Sequence, residues 1–505
     1  MSNTIDSEAS ASPDQESETS TKFDRLIDNI YKQLGWALGS IILALFVGVL
    51  IMIASGYDPG YAYFTLFRSA LRNPDQILWK ATPLILTGLS VALAFRAGLF
   101  NIGAEGQLYM GSIFATIIGF TIVLPIIVHP IVCVLVGILF GALWGLIPGL
   151  LKAYRGAHEV VTTMMLSYVA MFFTNYLVTG PLKEPGQWAA QTPPMFLTSW
   201  LPKLGLLPIW ESDYLSYAFI VAIIATIAVY FFLTRMVLGY ELRATGQNEK
   251  AAEAAGINTK RIVVIAMVLS GALAGIAGAV EVQGFYHRFI DGWSGGLGFD
   301  GITVAVLGAN GPIGVLLAAI FFGFLRAGAL SMQSSAGVPV EMITVIQGLI
   351  LIFVAAPRII EWMASRGVKN ARWIVKNPLN ALPIFITSIL ALVGVIISLA
   401  VGFGYLIINA PVTISLSLIA ILSIAAFIMS LKVERYGPLL GLITSIGWII
   451  VGGLNFVFES GTLAIPLLVF GVFGIIFSVY SFYLIQFRGV QMMPELDVIT
   501  KEDET

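Results

Sequence analysis

The sequence predicts an all-α polytopic membrane protein, and three observations carry that reading. Of the 505 residues, 58% are hydrophobic and only 11% are charged, where soluble chains are about half apolar and about a quarter charged. The mean hydropathy is +0.90. Apolar runs of about twenty residues, each able to cross a hydrocarbon core of about 30 Å, succeed one another along most of the chain. None shows the alternation of a membrane β-barrel strand. The 51 glycines agree, because membrane helices tolerate Gly better than soluble ones do. A water-soluble enzyme is excluded.

Residues 1–34 read as a disordered acidic cytoplasmic N-terminus, with too little apolar surface to fold. They lack the basic start and apolar run of a secretory signal, so the first span is expected to be the anchor. Spans are expected at 35–55, 77–96, 107–125, 127–150, 159–179, 214–234, 262–282 and 339–356. Lys and Arg gather on short cytoplasmic loops. Lys152 and Arg155 mark one loop as inside, and basic residues at 235–261 and 357–380 mark two more. The last two loops are separated by the spans 262–282 and 339–356. The intervening stretch 299–330, interrupted by Leu307-Gly-Ala-Asn-Gly-Pro312, must therefore enter and leave, as two short helices meeting near Gly311. This makes a ten-segment core over 35–356. A basic, Trp-containing cytoplasmic linker follows at 357–380. Four plainer spans (381–404, 412–431, 437–458, 463–486) form an appendage over 381–486, and an acidic tail occupies 487–505. Both termini come out cytoplasmic.

Several chemistries have no support. The single cysteine, Cys133, leaves neither a disulfide nor a thiolate cluster, and His129, His158 and His287 show no ligand spacing. A net charge of −2 gives no nucleic-acid footprint. No GxxxxGK[ST] cradles nucleotide phosphates. His158-Glu159 opens an HExxH, but Thr162 stands where the second metal ligand belongs. Gly292-Trp-Ser294-Gly295 resembles a membrane serine-protease motif, yet no histidine follows His287 to act as base. No catalytic residue, metal or bound cofactor is expected.

Two stretches are more informative. Phe95–Gln107 places Asn101, Glu105 and Gln107 between two apolar runs and loosens the helix with Gly98, Gly103 and Gly106. Ionisable groups at membrane depth usually face a cavity or a partner, and broken backbone is tolerated there only under protein or water. The segment is either a helix break lining a translocation path or a tight cytoplasmic turn with Glu105 at the interface. The loop 235–261 holds a short Ala-rich helix pattern. Gly246 precedes it, Asn248 is placed to cap its start and Gly256 to end it. Its Ala face lacks bulky membrane anchors and offers a soluble partner a low-relief surface.

These residues carry a family resemblance. The chain resembles the integral membrane permeases of ATP-binding-cassette importers, in the superfamily handling branched-chain amino acids, simple sugars and nucleosides. The loop Arg243-Ala-Thr-Gly-Gln-Asn-Glu-Lys-Ala-Ala-Glu-Ala-Ala-Gly-Ile257 is similar to that family's coupling helix. Gly98–Gln107, Glu159-Val-Val-Thr-Thr-Met-Met-Leu166 and Gly298-Phe-Asp-Gly-Ile-Thr-Val-Ala-Val-Leu-Gly308 resemble the nucleoside branch. That branch is served by a basic-membrane-protein-type binding lipoprotein. The resemblance spans roughly 35–360. It implies a multi-pass plasma-membrane transport subunit that binds no cofactor itself. A second permease subunit or a second copy would complete it, a separate ATPase would use ATP and Mg, and an extracytoplasmic lipoprotein would deliver substrate. The implied cargo is a nucleoside, with ribose-like sugars and then branched-chain amino acids as alternatives. A membrane sensor or scaffold is a remote alternative, supported only by the tails and the appendage. Phe100, Asn101, Glu105, Gln107, Thr162, Thr163 and Asn175 are the expected path residues. Arg243, Gly246, Asn248, Ala251, Ala252, Ala255 and Gly256 are the expected ATPase-coupling residues. The appendage, the acidic N-terminus and His158, where the family often has Asn, depart from the pattern.

Overall fold

The computed structural model describes residues 37–53, 55–204 and 214–365. The acidic N-terminus, most of the basic linker, the four-span appendage and the acidic tail lie outside the described residues. Helix α1 is Ala37–Ile53. There follow α2 (Pro59–Arg72), α3 (Pro74–Arg96), α4 (Ala104–Thr121), α5 (Val128–Arg155), α6 (Glu159–Thr179) and α7 (Ala218–Arg235). Then come α8 (Val237–Gln247), α9 (Glu249–Ala254), α10 (Thr259–Glu281), α11 (Leu297–Leu307), α12 (Pro312–Ala336) and α13 (Glu341–Ser365). The chain falls into two compact units, and Tyr57–Leu351 holds every residue singled out above.

The unit Tyr57–Leu351 is an all-α bundle, and six of its helices are long and apolar enough to cross a membrane. Burial ranks them: 83% of the apolar window of α3 is inside the bundle and 67% of that of α10, against 28%, 22% and 33% for α5, α6 and α7. Helices α3 and α10 are therefore the axis, and the others present outward faces. On α5 that face is aliphatic, with Ile131, Leu135, Leu139, Leu143 and Ile147 exposed at four-residue spacing.

Small residues bring the axis together. Gly137, Gly141, Gly145 and Gly149 recur every fourth position and so lie on one face of α5. They meet Met267, Gly271, Gly275 and Ala279 of α10. A Cβ on Gly141 would stand 2.7 Å from the Gly275 Cα, and one on Gly137 would stand 2.6 Å from the Ala279 Cβ. Between apolar helices, where burial from water gives no advantage over lipid, such backbone approach is what packing has to work with.

The stretch 299–330 does break at Gly311, but unequally. Helix α11 has 11 residues and α12 has 25, enough to cross alone. The turn between them is forced: Ala309 and Asn310 take left-handed φ values of 51° and 55°, and Pro312 opens α12, where a missing N–H costs nothing. Helix α2 went unrecognised in the sequence because it is amphipathic rather than a long apolar run. Its Leu66 is buried beneath Gly328 of α12 while Phe64 and Leu71 face outward. Helix α13 continues to Ser365, so the start of the 357–380 linker is helical.

Candidate functional site

Between α3 and α4 the chain leaves helical geometry over residues 97–103. A left-handed Gly98 (φ 75°) turns it, and a polar knot holds it. The Asn101 amide donates to Gln107 Oε1 (2.9 Å) and to Ser270 Oγ (2.7 Å), and its Oδ1 accepts from the Gly103 N–H (2.8 Å). Ser270 of α10 pairs with Ser90 of α3 at 2.9 Å. Thr163 of α6 accepts the Ile102 N–H. Buried polar groups must be bonded or they destabilise the fold, and here the bonds tie α3, α4, α6 and α10 to the break.

Glu105, 1% exposed, sits in the first turn of α4 and accepts the Gly298 N–H of α11 at 2.6 Å. The Ser294 hydroxyl and the Gly296 N–H also reach it. The carboxylate therefore occupies the amide-rich start of α11, where a negative charge is favoured. Gly298 permits the approach: a Cβ there would lie 2.7 Å from the Ala104 carbonyl carbon. Helix α11 runs from the level of Thr87, whose hydroxyl donates to Leu297 O (3.1 Å), to the level of Arg96, which donates to Asn310 O (2.8 Å). Nine residues of α3 at 1.5 Å rise make that about 13 Å. It is a half-helix buried at its start.

Beside it lies a half-buried charged cluster that sequence reasoning missed. Asp300 of α11 is ion-paired with Arg326 of α12, their side chains 17% and 21% exposed. Arg326 is within electrostatic reach of Glu105 and Tyr286. Nearer the far end, the Trp79 indole donates to Glu281 Oε1 (3.0 Å) and stacks on Phe285 (3.8 Å), with the Lys80 ammonium over its ring (3.6 Å). Phe285 and Tyr286 belong to a π-turn, Val282–Tyr286, that closes α10. Such turns often mark functional positions.

The connection between α6 and α7 is laced to the segment after that turn. Thr192 N–H donates to Phe289 O (3.0 Å), Met195 N–H to His287 O (2.8 Å), and Arg288 pairs with Glu184 (2.9 Å). His287 stacks on Trp200 at 3.7 Å. Burial, and then the Lys203 ammonium, push its imidazole down to about 4, against a bond to the Gln283 backbone that acts the other way. An unfolded histidine binds its proton near pH 6.5, so this packing contributes fully above that value and is lost as pH falls toward 4. Hydrogen exchange of residues 195–204, corrected for intrinsic rate, should quicken between pH 7 and pH 5. The effect should vanish in His287→Asn, which keeps the left-handed φ of 55° accessible.

At the opposite end of the bundle stands the 235–261 loop. It folds as two helices, not one, because Asn248 is extended (φ −157°). Its side chain caps α9 through the Ala251 N–H (3.1 Å), and left-handed Gly256 (φ 85°) follows the helix end, as the residue types predict. Gly246 rests on the backbone of Arg96 and Ala97, with 2.8 Å between its Cβ position and Gly98 N. The loop is thus seated on the turn that begins the helix break. Ala251 and Ala255 are exposed, whereas Ala252 is 4% exposed, packed within its own chain. Arg243 is half-buried and bonds back to Gly239 O.

Of the expected path residues, the structure brings together Asn101, Glu105, Gln107 and Thr163 around the break, all buried. Phe100 lies at its edge, 37% exposed and edge-on to Phe95. Thr162 is half-buried and bonds the carbonyls of its own helix. Asn175 stands apart near the far end and donates to Asp291 (2.7 Å).

A buried half-helix, a braced break and a capped loop seated on that break form one architecture. Known proteins resemble this chain over the residues that build it. Residues 73–355 match the family described as branched-chain amino acid transport system / permease component. The guanosine ABC transporter permease NupP of Bacillus subtilis is 38% identical over 335 residues, covering 66% of this chain and 95% of the relative. The nucleoside ABC transporter permease NupB of Lactococcus lactis is 38% identical over 347 residues, 65% of this chain and 92% of the relative. The glucose ABC transporter permease TsgB13 of Haloferax volcanii is 34% identical over 322 residues, 62% and 85%. No solved structure matches at a significant level. With more than half its length matched, the helix break and the capped loop included, this chain belongs to the branched-chain amino acid transport system permease family and is a multi-pass ABC transporter permease.

Proposed function

We propose that this permease forms the translocation path of an ATP-driven nucleoside importer working by alternating access. The observation that supports it most is the 38% identity, over nearly their whole lengths, to permeases named for guanosine and for nucleosides. Glucose is the second reading, favoured by the 34% identical glucose permease. The chain would pair with a second permease or a second copy of itself. A substrate-binding lipoprotein would deliver cargo on the far face, and cytoplasmic ATPase subunits would drive the cycle through α8 and α9. Uptake of labelled guanosine and of labelled glucose, by cells with and without the permease, tests the cargo. Guanosine uptake that is unchanged by deleting the permease would remove the nucleoside reading.

Within this reading the coupling surface is the exposed side of α9. Ala251→Arg is expected to lower uptake by about tenfold, which corresponds to about 1.4 kcal/mol of lost coupling. Membrane levels should stay normal, because Ala251 touches no core. Ala252→Arg would be a poorer test, since it also disrupts the chain's own packing. Wild-type uptake in both Ala251→Arg and Ala255→Arg would place the docking surface elsewhere. The polar residues of the break act, in this reading, as a brace: Asn101, Gln107 and Glu105 spend their hydrogen bonds on the chain itself.

A further inference from the structure

We infer that Asp300 and Arg326 form a substrate subsite that reads the vicinal hydroxyls of a sugar ring, on a nucleoside the ribose 2′ and 3′ hydroxyls. The inference rests on the nucleoside reading above for its cargo and on geometry for its place. Charged groups inside a membrane domain are costly, and they mark pathways or partners. Glu105 and Asn101 are fully used by the chain, but this pair is not. Only Arg326 Nη2 and Asp300 Oδ2 are joined, and neither Asp300 Oδ1 nor the other guanidinium N–H groups have a hydrogen-bond partner among the described residues. Both side chains also keep partial exposure, 17% and 21%, amid a buried helix junction.

The surroundings suit a nucleoside. A carboxylate only accepts hydrogen bonds, and a guanidinium only donates them. Side by side they complement two adjacent hydroxyls, each of which donates once and accepts twice. Tyr286 is within electrostatic reach of Arg326, and its ring lies 5.5 Å from that of Trp293. Among the described residues the buried Trp293 Nε1–H has no hydrogen-bond partner, which leaves a donor beside the rings of Tyr109 and Tyr286. Aromatic faces take up the flat side of a base or the C–H face of a sugar. A pair that served only to join α11 to α12 would have no need of this unused polar capacity.

The test compares uptake of labelled guanosine with that of labelled 2′,3′-dideoxyguanosine, in cells carrying the complete transporter. The wild-type chain is set beside Asp300→Asn and beside the exchanged pair Asp300→Arg/Arg326→Asp. Delivery upstream of the permease is common to all three, so it cancels from the ratio between variant and wild type. Asp300→Asn is expected to reduce guanosine uptake by about tenfold or more while the dideoxy analogue changes little, because a site built around a hydroxyl discriminates through it. The preference for the ribonucleoside should therefore collapse at normal membrane level. The exchanged pair should insert normally and fail to restore the preference. An unchanged preference in Asp300→Asn, or full restoration by the exchanged pair, would reduce Asp300–Arg326 to a strut and overturn the inference. If the wild type carries glucose and not guanosine, the nucleoside reading fails separately, and the same ratio taken with glucose and 2,3-dideoxyglucose still decides the subsite.

Discussion

Gly275→Val is expected to remove the folded permease from the membrane. Gly275 is where three helices meet: a Cβ on Gly111 of α4 would stand 2.5 Å from its Cα, and one on Gly141 of α5 would stand 2.7 Å away. Its own Cβ would collide with the Gly137 carbonyl. Overpacking an ordinary core costs about 1–3 kcal/mol because side chains can turn aside. Here the obstructing atoms are backbone, so relief requires α4, α5 and α10 to separate. Separation would open the Asn101–Ser270–Ser90 knot as well, leaving buried polar groups unpaired at about 1–3 kcal/mol each. Against a total stability of about 5–15 kcal/mol, the sum is decisive. Membrane-fraction immunoblots and size-exclusion profiles in detergent should show little intact protein. Gly348→Ala, at a position with no neighbour within 4 Å among the described residues, should behave as wild type. A monodisperse Gly275→Val protein at normal level would mean that the α4–α5–α10 junction is looser than its geometry.

What the sequence made legible follows from how far each feature depends on partners. The spans show themselves because about twenty consecutive apolar residues need no partner to be recognised. The caps at Asn248 and Gly256 are equally local. Helix α2 was hidden because an amphipathic helix of fourteen residues has no such run. The four-residue spacing of Gly137, Gly141, Gly145 and Gly149 was readable as a close-packing face, although its partners at Gly271 and Gly275 were not. Pairing across the fold is the illegible part. Asp300 meets Arg326 from 26 positions away, and Trp79 meets Glu281 from 202. Nothing in the local pattern of either segment names the other. Glu105 and Asn101 were conspicuous as polar residues in apolar surroundings, but composition does not tell a group bonded inward from one facing a path. Only the positions of Gly298 and Ser270 do.

Glu105 is where that distinction can be measured. Its carboxylate accepts from the first amides of α11, so it should act by holding the half-helix against α4. Glu105→Gln keeps an acceptor for the Gly298 N–H and nearly the same shape. Arg326 loses a nearby charge but retains Asp300. The variant should insert, and uptake per molecule should remain near wild type. Glu105→Leu is different. It leaves the Gly298 amide buried with no acceptor and places a branched apolar side chain among the amides at the start of α11. An orphaned buried amide costs about 1–3 kcal/mol. With helix-dipole stabilisation worth about 0.3–1 kcal/mol also lost, α11 should detach from α4. Membrane level should fall, and uptake should fall further than the level does. Immunoblots of the membrane fraction, taken with guanosine uptake, separate the two quantities. A Glu105→Gln protein present at wild-type level but without uptake would show that the negative charge itself acts on the substrate. A Glu105→Leu protein with normal uptake would show that the junction of α4 and α11 bears no part of the transport cycle.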